Sequence, residues 1–118
     1  MLPRREVRRP NPMSSDAILV LTTCPDEATA ARIAVDLVEA GLAACVNRVS
    51  GVRSTYRWKD RLEDEPEVLL IIKTLASRYQ TLEMRLKSLH PYEVPEIIAL
   101  PIVGGSPEYL SWLGTAAS

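Results

Sequence analysis

The chain has 118 residues, of which 47% are hydrophobic, and its 14 basic and 15 acidic side chains leave a formal net charge of −1. A chain of this length forms a single domain with one hydrophobic core. Because nucleic-acid-binding domains usually carry a strong positive charge, the balance argues against a nucleic-acid partner. We do not expect a membrane partner either, since no apolar run approaches the roughly 20 residues that span a bilayer.

The charge is unevenly distributed along the chain. Residues 1–15 contain four arginines, one glutamate and three prolines, a net charge of +3, whereas residues 16–118 carry a net charge of −4. The first segment has too few apolar side chains to offset the entropy cost of ordering, so we expect a disordered basic tail at 1–15 and a folded domain at 16–118. A nucleic-acid-binding arm is the alternative for the tail. Because no apolar stretch follows these arginines, the segment does not have the pattern of a secretory signal, and we expect a cytoplasmic protein. Two cysteines are too few for a disulfide framework.

Hydrophobic periodicity and turn residues divide the domain into strands and helices. In chain order we predict a strand at 17–23, a helix at 25–40, a strand at 43–49 that continues over 52–59, a strand at 68–74, a helix at 77–90, a strand at 96–103 and a short helix capped by Ser106. This order is that of a ferredoxin-like fold. The predicted class is therefore α+β, a ferredoxin-like βαββαβ sandwich with a long hairpin between its second and third strands and an extra C-terminal helix.

Individual residues predict how these elements begin, bend and end. Pro25 suits the first turn of the first helix, and Gly41 suits its end. Ser77 and Gln80 have the spacing of a capping box at the second helix. Gly51 predicts a bulge or a bend within the second strand, because glycine is the residue that bulges and bends most often require.

The predicted hairpin is too long for one small domain. Residues 43–59 would span about 55 Å if continuous, whereas a domain of this size is about 35 Å across. A projecting two-stranded hairpin is marginally stable alone, and it would leave Tyr56 and Trp58 in water. We therefore expect a homo-oligomer in which the hairpin docks on another copy of the chain.

Three side chains are candidate metal ligands. Cys24 and Cys45 are thiols of the kind that bind Cu(I), although small buried thiols also fill protein cores. We expect the start of the first helix to lower the pKa of Cys24. His90 is the only histidine and ends the second helix, where the helix dipole favours a protonated ring. Together with Glu93 and Glu96 it could hold a divalent metal, or it could cap a structural turn.

Lys73 is the one charged residue in the apolar strand predicted at 68–74. Because buried lysines are rarely unpaired, it predicts an ion pair with Glu67, Glu93 or Glu96, a catalytic amine being the alternative. The sequence contains no glycine-rich phosphate loop, and no supported Ser/His/Asp set accompanies this lysine. The residues themselves therefore do not indicate a catalytic centre.

Several segments together resemble the CutA family of divalent-cation tolerance proteins. The matching segments are residues 21–28 (LTTCPDEA), 42–47 (LAACVN), 54–58 (STYRW), 67–74 (EVLLIIKT), 90–96 (HPYEVPE), 99–101 (ALP) and 109–113 (YLSWL). The resemblance covers residues 17–113 and implies a homotrimer whose long hairpins reach across neighbouring subunits. It also implies a role in tolerance to copper and other divalent cations, with no enzymatic reaction and no obligatory cofactor.

The resemblance leaves three functional hypotheses. In the first, a metal-responsive trimer binds copper or another divalent cation between subunits, through His90 and either Cys24 or Cys45. In the second, the protein is similar to the PII signalling proteins and binds a small ligand in that cleft. The candidate lining residues of the cleft are Lys73, Tyr56, Trp58, Glu67, Tyr92 and Glu96. In the third, which we do not favour, His90 and a glutamate are the acid–base pair of an enzyme. Protein partners beyond the trimer are not indicated.

Overall fold

The structure is a computed structural model that describes residues 16–118, so the predicted tail at 1–15 lies outside the described residues. Its elements are β1 (Ala17–Cys24), α1 (Glu27–Glu39), β2 (Cys45–Trp58), β3 (Arg61–Leu75), a 3₁₀ turn (Ala76–Arg78), α2 (Tyr79–Leu89), β4 (Ile98–Pro101) and α3 (Pro107–Ala116). The described strands form one antiparallel sheet in the order β2-β3-β1-β4. This element order and sheet order confirm the predicted α+β, ferredoxin-like class.

The first helix is fixed at both ends by hydrogen bonds. At its start the Asp26 side chain accepts a hydrogen bond of 2.8 Å from the backbone N–H three residues on. Asp26 is therefore the cap, and the prediction that Pro25 lies in the first turn is wrong. At its end Gly41 has a φ of 72°, and the N–H of Leu42 donates to the carbonyl of Leu37 at 3.0 Å. This is a Schellman motif, as the glycine predicted.

Two predicted elements differ from those observed. Ser77 lies in the 3₁₀ turn, and no side chain caps α2, so the predicted capping box is not formed. The last strand has four residues rather than the eight predicted, because it pairs with β1 only from Ile18 to Leu21. Residues 91–97, part of which we predicted as strand, form a loop at the other end of β1, and this loop carries the candidate site.

The hairpin of β2 and β3 projects well beyond the helices. Its register shifts between Val49 and Val52, around Gly51 with a φ of 84°, which confirms the predicted bulge. The third strand begins at Arg61 rather than at residue 68, because the acidic run pairs with β2 while most of its side chains stay in water. The described residues extend 56 × 26 × 24 Å with a radius of gyration of 16.3 Å. A compact domain of this length has a radius of about 13 Å.

The main core lies between one face of the sheet and the helices α1 and α2. Alternate residues of the central strands, such as Val20 and Leu70, are fully buried against Ile33, Leu37 and Leu86. The 3.6-residue spacing of the helices and the alternation of the strands place these side chains on facing surfaces. No helix of residues 16–118 combines the length and the apolarity needed to cross a bilayer.

The opposite face of the sheet is covered only at one end. There α3 packs Leu113 and Ala117 against Ala17 at the start of β1. Further along the same face, Ile98 and Leu100 are 49% and 42% exposed. We call this face, with its exposed apolar side chains from β4 and half-buried ones from β1 and β3, the open face. Its apolar surface within one subunit is typical of an interface with another chain.

Candidate functional site

His90 connects the end of α2 to the end of β1. The ring is 7% exposed, its Nε2 lies 2.8 Å from the carbonyl oxygen of Thr23, and its Nδ1 accepts a hydrogen bond from the N–H of Tyr92 at 3.2 Å. A carbonyl oxygen only accepts, so Nε2 carries the proton and the ring is neutral in this network. Burial lowers the pKa of His90, against the smaller raising effects of the Thr23 hydrogen bond and the charge of Glu67. The prediction of a ring held protonated by the helix dipole is therefore wrong.

Tyr92 and Glu67 form the inner end of the site. The Tyr92 hydroxyl donates a hydrogen bond of 2.5 Å to Oε2 of Glu67, a carboxylate that is only 7% exposed. Burial, followed by this hydrogen bond, strongly raises the pKa of Tyr92. Tyr92 thus remains a hydrogen-bond donor at neutral pH. Its ring also packs on His90, with ring centroids 4.7 Å apart, so the loop after α2 is anchored at three points.

A cavity of about 640 Å³ opens between this loop and the hairpin. Its lining residues are Thr23, Ser54, Thr55, Tyr56, Trp58, Glu67, Tyr92, Glu93, Val94, Pro95 and Glu96. Five of the six predicted cleft residues are among them, Lys73 being the exception. The cavity combines aromatic and acidic side chains in a concave space of small-molecule size.

Lys73 lies outside the cavity. It is six residues further along β3 than Glu67, a separation of about 20 Å at the usual strand rise. Its ammonium lies 6.0 Å from the ring centroid of Tyr109 in α3. The structure shows none of the predicted ion pairs of Lys73 with the three glutamates. The lysine instead lies beside an aromatic ring on the open face.

The three predicted metal ligands do not meet within one subunit. Cys24 is fully buried, and burial, followed by the charges of Glu67 and Asp26, raises its pKa to about 11. The predicted lowering of this pKa is therefore wrong, and at neutral pH Cys24 is a protonated thiol. Cys45 pairs with Lys73 in the sheet register.

Register places Cys45 far from Cys24. Lys73 pairs with Leu19, five residues from Cys24, so the two thiols are separated by about 17 Å along the strands and about 10 Å across them. Within residues 16–118 there is no group of three or more His, Cys, Asp or Glu side chains that could hold a metal ion. A metal bound through the predicted residues would need ligands from a second subunit.

Five lining residues and the neighbouring Lys59 were not predicted from the sequence; the five are Thr23, Ser54, Thr55, Val94 and Pro95. Ser54 follows the period-two alternation that Tyr56 and Trp58 share, so that alternation could have identified it. Thr23 and Lys59 have no comparable signal, since their roles depend on how the loop and the hairpin turn are placed. Lys59 has a φ of 51° in the turn that connects β2 to β3.

The sheet order, the projecting hairpin and the cavity at its base together define a ferredoxin-like protein with an extended hairpin. The family model of the CutA1 divalent ion tolerance protein matches residues 18–116. The chain therefore belongs to the CutA1 family, as the sequence segments indicated.

Relatives with known names and known structures agree with this assignment. A divalent-cation tolerance protein CutA from Thermus thermophilus is 52% identical over 95 residues, which cover 80% of this chain and 92% of the relative. The crystal structure of CutA from Xylella fastidiosa superimposes with a TM-score of 0.86 at 44% identity, covering 88% of this chain and 100% of that one. A protein from Archaeoglobus fulgidus, called a periplasmic divalent cation tolerance protein CutA, has a TM-score of 0.84 at 32% identity, covering 86% of this chain and 99% of that one.

Proposed function

We propose that the protein acts in divalent-cation tolerance as a homotrimer, by binding rather than by catalysis. The observation that carries the proposal is the family match over residues 18–116, together with relatives that are named for this role. In this proposal copper or another divalent cation binds reversibly as an effector, and the protein requires no permanently bound cofactor.

The proposed trimer forms through the open face. This face exposes apolar side chains that include Ile98 and Leu100, and the projecting hairpin extends the subunit to 56 Å along its longest axis. Burying such a surface removes apolar area from water at about 25 cal/mol per Å². The proposed trimer therefore accounts for both the long hairpin and the exposed apolar face.

The trimer also distinguishes the predicted metal ligands from one another. Cys45 is half-buried on the open face, where a second subunit could add ligands. Cys24 is buried as a protonated thiol, and both ring nitrogens of His90 are occupied by hydrogen bonds. Since a thiolate is the form that binds copper, Cys45 is the predicted ligand that is best placed for soft-metal binding.

Isothermal titration of the full chain with Cu(I), Cu(II) and Zn(II) tests this proposal. We expect Cys45→Ser to weaken Cu(I) binding and Cys24→Ser, its matched control, to leave it unchanged. His90→Ala should lower stability more than metal affinity, because the ring is part of the buried network. Cation tolerance through direct binding fails if the wild-type trimer takes up none of the three ions. Loss of Cu(I) binding in Cys24→Ser alone would locate the site at the end of β1 instead.

A second function is supported by the cavity. A concave site of about 640 Å³ has the size of a small-molecule site, and the PII-like hypothesis requires such a site near a subunit boundary. In this alternative the protein is a ligand-binding signalling scaffold without metal chemistry. A ligand that raises the melting temperature in metal-free buffer would support it.

We also propose a cytoplasmic location. The support is that both cysteines of the described residues are free thiols, as is usual in a reducing compartment. Since the Archaeoglobus fulgidus relative is called periplasmic, fractionation of the source cells is the direct test. Recovery of the protein in the periplasmic fraction would contradict the proposal.

A further inference from the structure

The charge of the cavity is negative. Glu67, Glu93 and Glu96 contribute to its lining, which includes no lysine or arginine among the residues that the structure describes. Glu67 is more than nine-tenths buried, and its Oε2 accepts a hydrogen bond from Tyr92 at the inner end of the cavity. Burial strengthens the field of a carboxylate because less water screens it. Anionic metabolites are therefore disfavoured in this cavity.

Aromatic rings supply the rest of its recognition surface. Tyr56, Trp58 and Tyr92 line the same space as the glutamates. Aromatic faces attract organic cations through their quadrupole and also pack against an apolar skeleton. They offer nothing to a divalent metal ion, which needs several converging ligand atoms that the described residues of one subunit do not provide. The cavity is also far larger than a single metal ion requires.

The chain already places one ammonium group beside these residues. The Lys59 ammonium lies 5.5 Å from the ring centroid of Trp58 and 3.8 Å from a carboxylate oxygen of Glu93. Both Lys59 and Glu93 are exposed, so this pair is weak and exchangeable. Lys59 thus has an aromatic ring and a carboxylate beside its ammonium. A ligand ammonium deeper in the cavity would meet the same two kinds of group, in Tyr92 and Glu67.

From these observations we propose that the cavity between the hairpin and the loop at 91–97 binds an organic ammonium ion with an apolar skeleton. The ammonium lies near Glu67 and against the rings of Trp58 and Tyr92, and the skeleton packs against Val94 and Pro95. Lys59 competes for the outer part of the site. This inference rests on the small-ligand function proposed above and is independent of the metal role.

The test uses n-hexylammonium as the probe, with hexanol and hexanoate as neutral and anionic probes of similar length. The chain has two tryptophans, so in the full chain carrying Trp112→Phe the fluorescence reports on Trp58 alone. We expect hexylammonium to bind about tenfold more tightly than either other probe, as one charge-assisted hydrogen bond allows. In the same background Glu67→Gln, which can still accept from Tyr92, should weaken hexylammonium binding by about tenfold. Glu39→Gln on the outer surface of α1 is the matched control and should not weaken it.

The possible outcomes test two claims separately, namely that the ligand is an ammonium ion and that the cavity binds a small ligand at all. Equal or tighter binding of hexanol or hexanoate, or an unchanged affinity in Glu67→Gln, would overturn the ammonium assignment while leaving a small-ligand site. Binding of none of the three probes would overturn the assignment and the small-ligand function together. Neither result affects the metal titrations, which use metal ions as ligands and compare variants of Cys45 and Cys24.

Removal of the competing lysine gives a second test. Lys59→Gln deletes the ammonium beside Trp58 and leaves Glu93 unpaired, so it should tighten hexylammonium binding by about threefold to tenfold. Arg57→Gln, a neighbouring charge change in β2 outside the cavity lining, serves as the control. An unchanged or weaker affinity in Lys59→Gln would contradict the proposed competition.

Discussion

His90 links the helix, the first strand and the site loop through its two ring nitrogens. Nε2 donates to Thr23 and Nδ1 accepts from Tyr92, so only the neutral ring satisfies both contacts. Protonation would place a second N–H opposite the N–H of Tyr92 and a charge in a buried position. The residue that the sequence indicated as a metal ligand is therefore, within one subunit, a structural hydrogen-bonding centre.

This role predicts how stability depends on pH. The folded-state pKa of His90 lies below its ordinary value of 6.5, so as the pH falls the unfolded chain binds the proton first. The contribution of the neutral ring is complete above about pH 6.5 and is lost as the pH falls through the folded pKa. The free energy of unfolding of the wild type should fall as the pH is lowered below about 6.5. Denaturant titrations at several pH values measure this.

His90→Gln is the control for that pH dependence. His90 is the only histidine, and the carboxylates with lowered pKa, such as Asp26 and Asp36, lose their contribution only at more acidic pH. The variant should be less stable at pH 7.5 but nearly independent of pH just below about pH 6.5. An equally steep decline in His90→Gln would show that another group causes it.

The hydroxyl of Tyr92 makes a separate residue-scale contribution. Tyr92→Phe removes the donor to Glu67 and leaves a buried carboxylate oxygen without its partner. We expect the free energy of unfolding to fall by about 1–3 kcal/mol. Tyr56→Phe is the matched control, since Tyr56 is 41% exposed, and should have a smaller effect. Equal effects in urea denaturation would contradict the assigned hydrogen bond.

The sequence predicted which residues lie at the site better than it predicted their protonation states. Five of the six residues predicted for the cleft line the cavity, whereas other lining residues, such as Val94 and Pro95, were not predicted. The pKa directions of Cys24 and His90 were wrong, since the helix-terminus effect is weaker than desolvation at a buried position. Burial depends on packing that no local pattern specifies.

At the scale of elements, the bulge in β2 separates the part of the hairpin inside the domain from the part that projects. Gly51 has a positive φ of 84° with nothing within 4 Å of an added Cβ, so only backbone strain opposes a side chain there. Gly51→Ala should destabilise the fold by about 1–2 kcal/mol. Gly114→Ala has equally open space but lies within α3, so it should stabilise the fold by roughly 0.5–1 kcal/mol. Thermal unfolding of both variants tests the assignment, and a stabilising Gly51→Ala would contradict it.

The order and type of the elements could be predicted because period and turn residues are local. The start of β3 could not, since acidic residues are rare in strands and the run at 63–67 enters the strand only by pairing with β2. The length of β4 also depends on its partner strand. Its partner β1 offers pairing positions from Ile18 to Leu21, and the preceding loop is held by His90 and Tyr92 instead. Strand length was thus determined by long-range partners.

At the scale of the whole molecule, the open face predicts where a charge would disrupt assembly. Leu100 is 42% exposed on this face, whereas Val35 is 53% exposed on the outer side of α1. Leu100→Glu should dissociate the proposed trimer at micromolar concentration, because a charge buried at an apolar interface is strongly unfavourable. Val35→Glu should leave assembly unchanged. Sedimentation velocity on both variants compares them, and an intact assembly in Leu100→Glu would place the interface elsewhere.

The central claim is that the working particle is a homotrimer, in which the open face is covered and Cys45 lies at a subunit boundary. The most direct test is the mass of the full chain by light scattering coupled to size exclusion at micromolar concentration. The account predicts three times the 13.1 kDa of one chain, about 39 kDa. A mass near 13.1 kDa would show that the hairpin and the open face remain in water, and it would contradict the account.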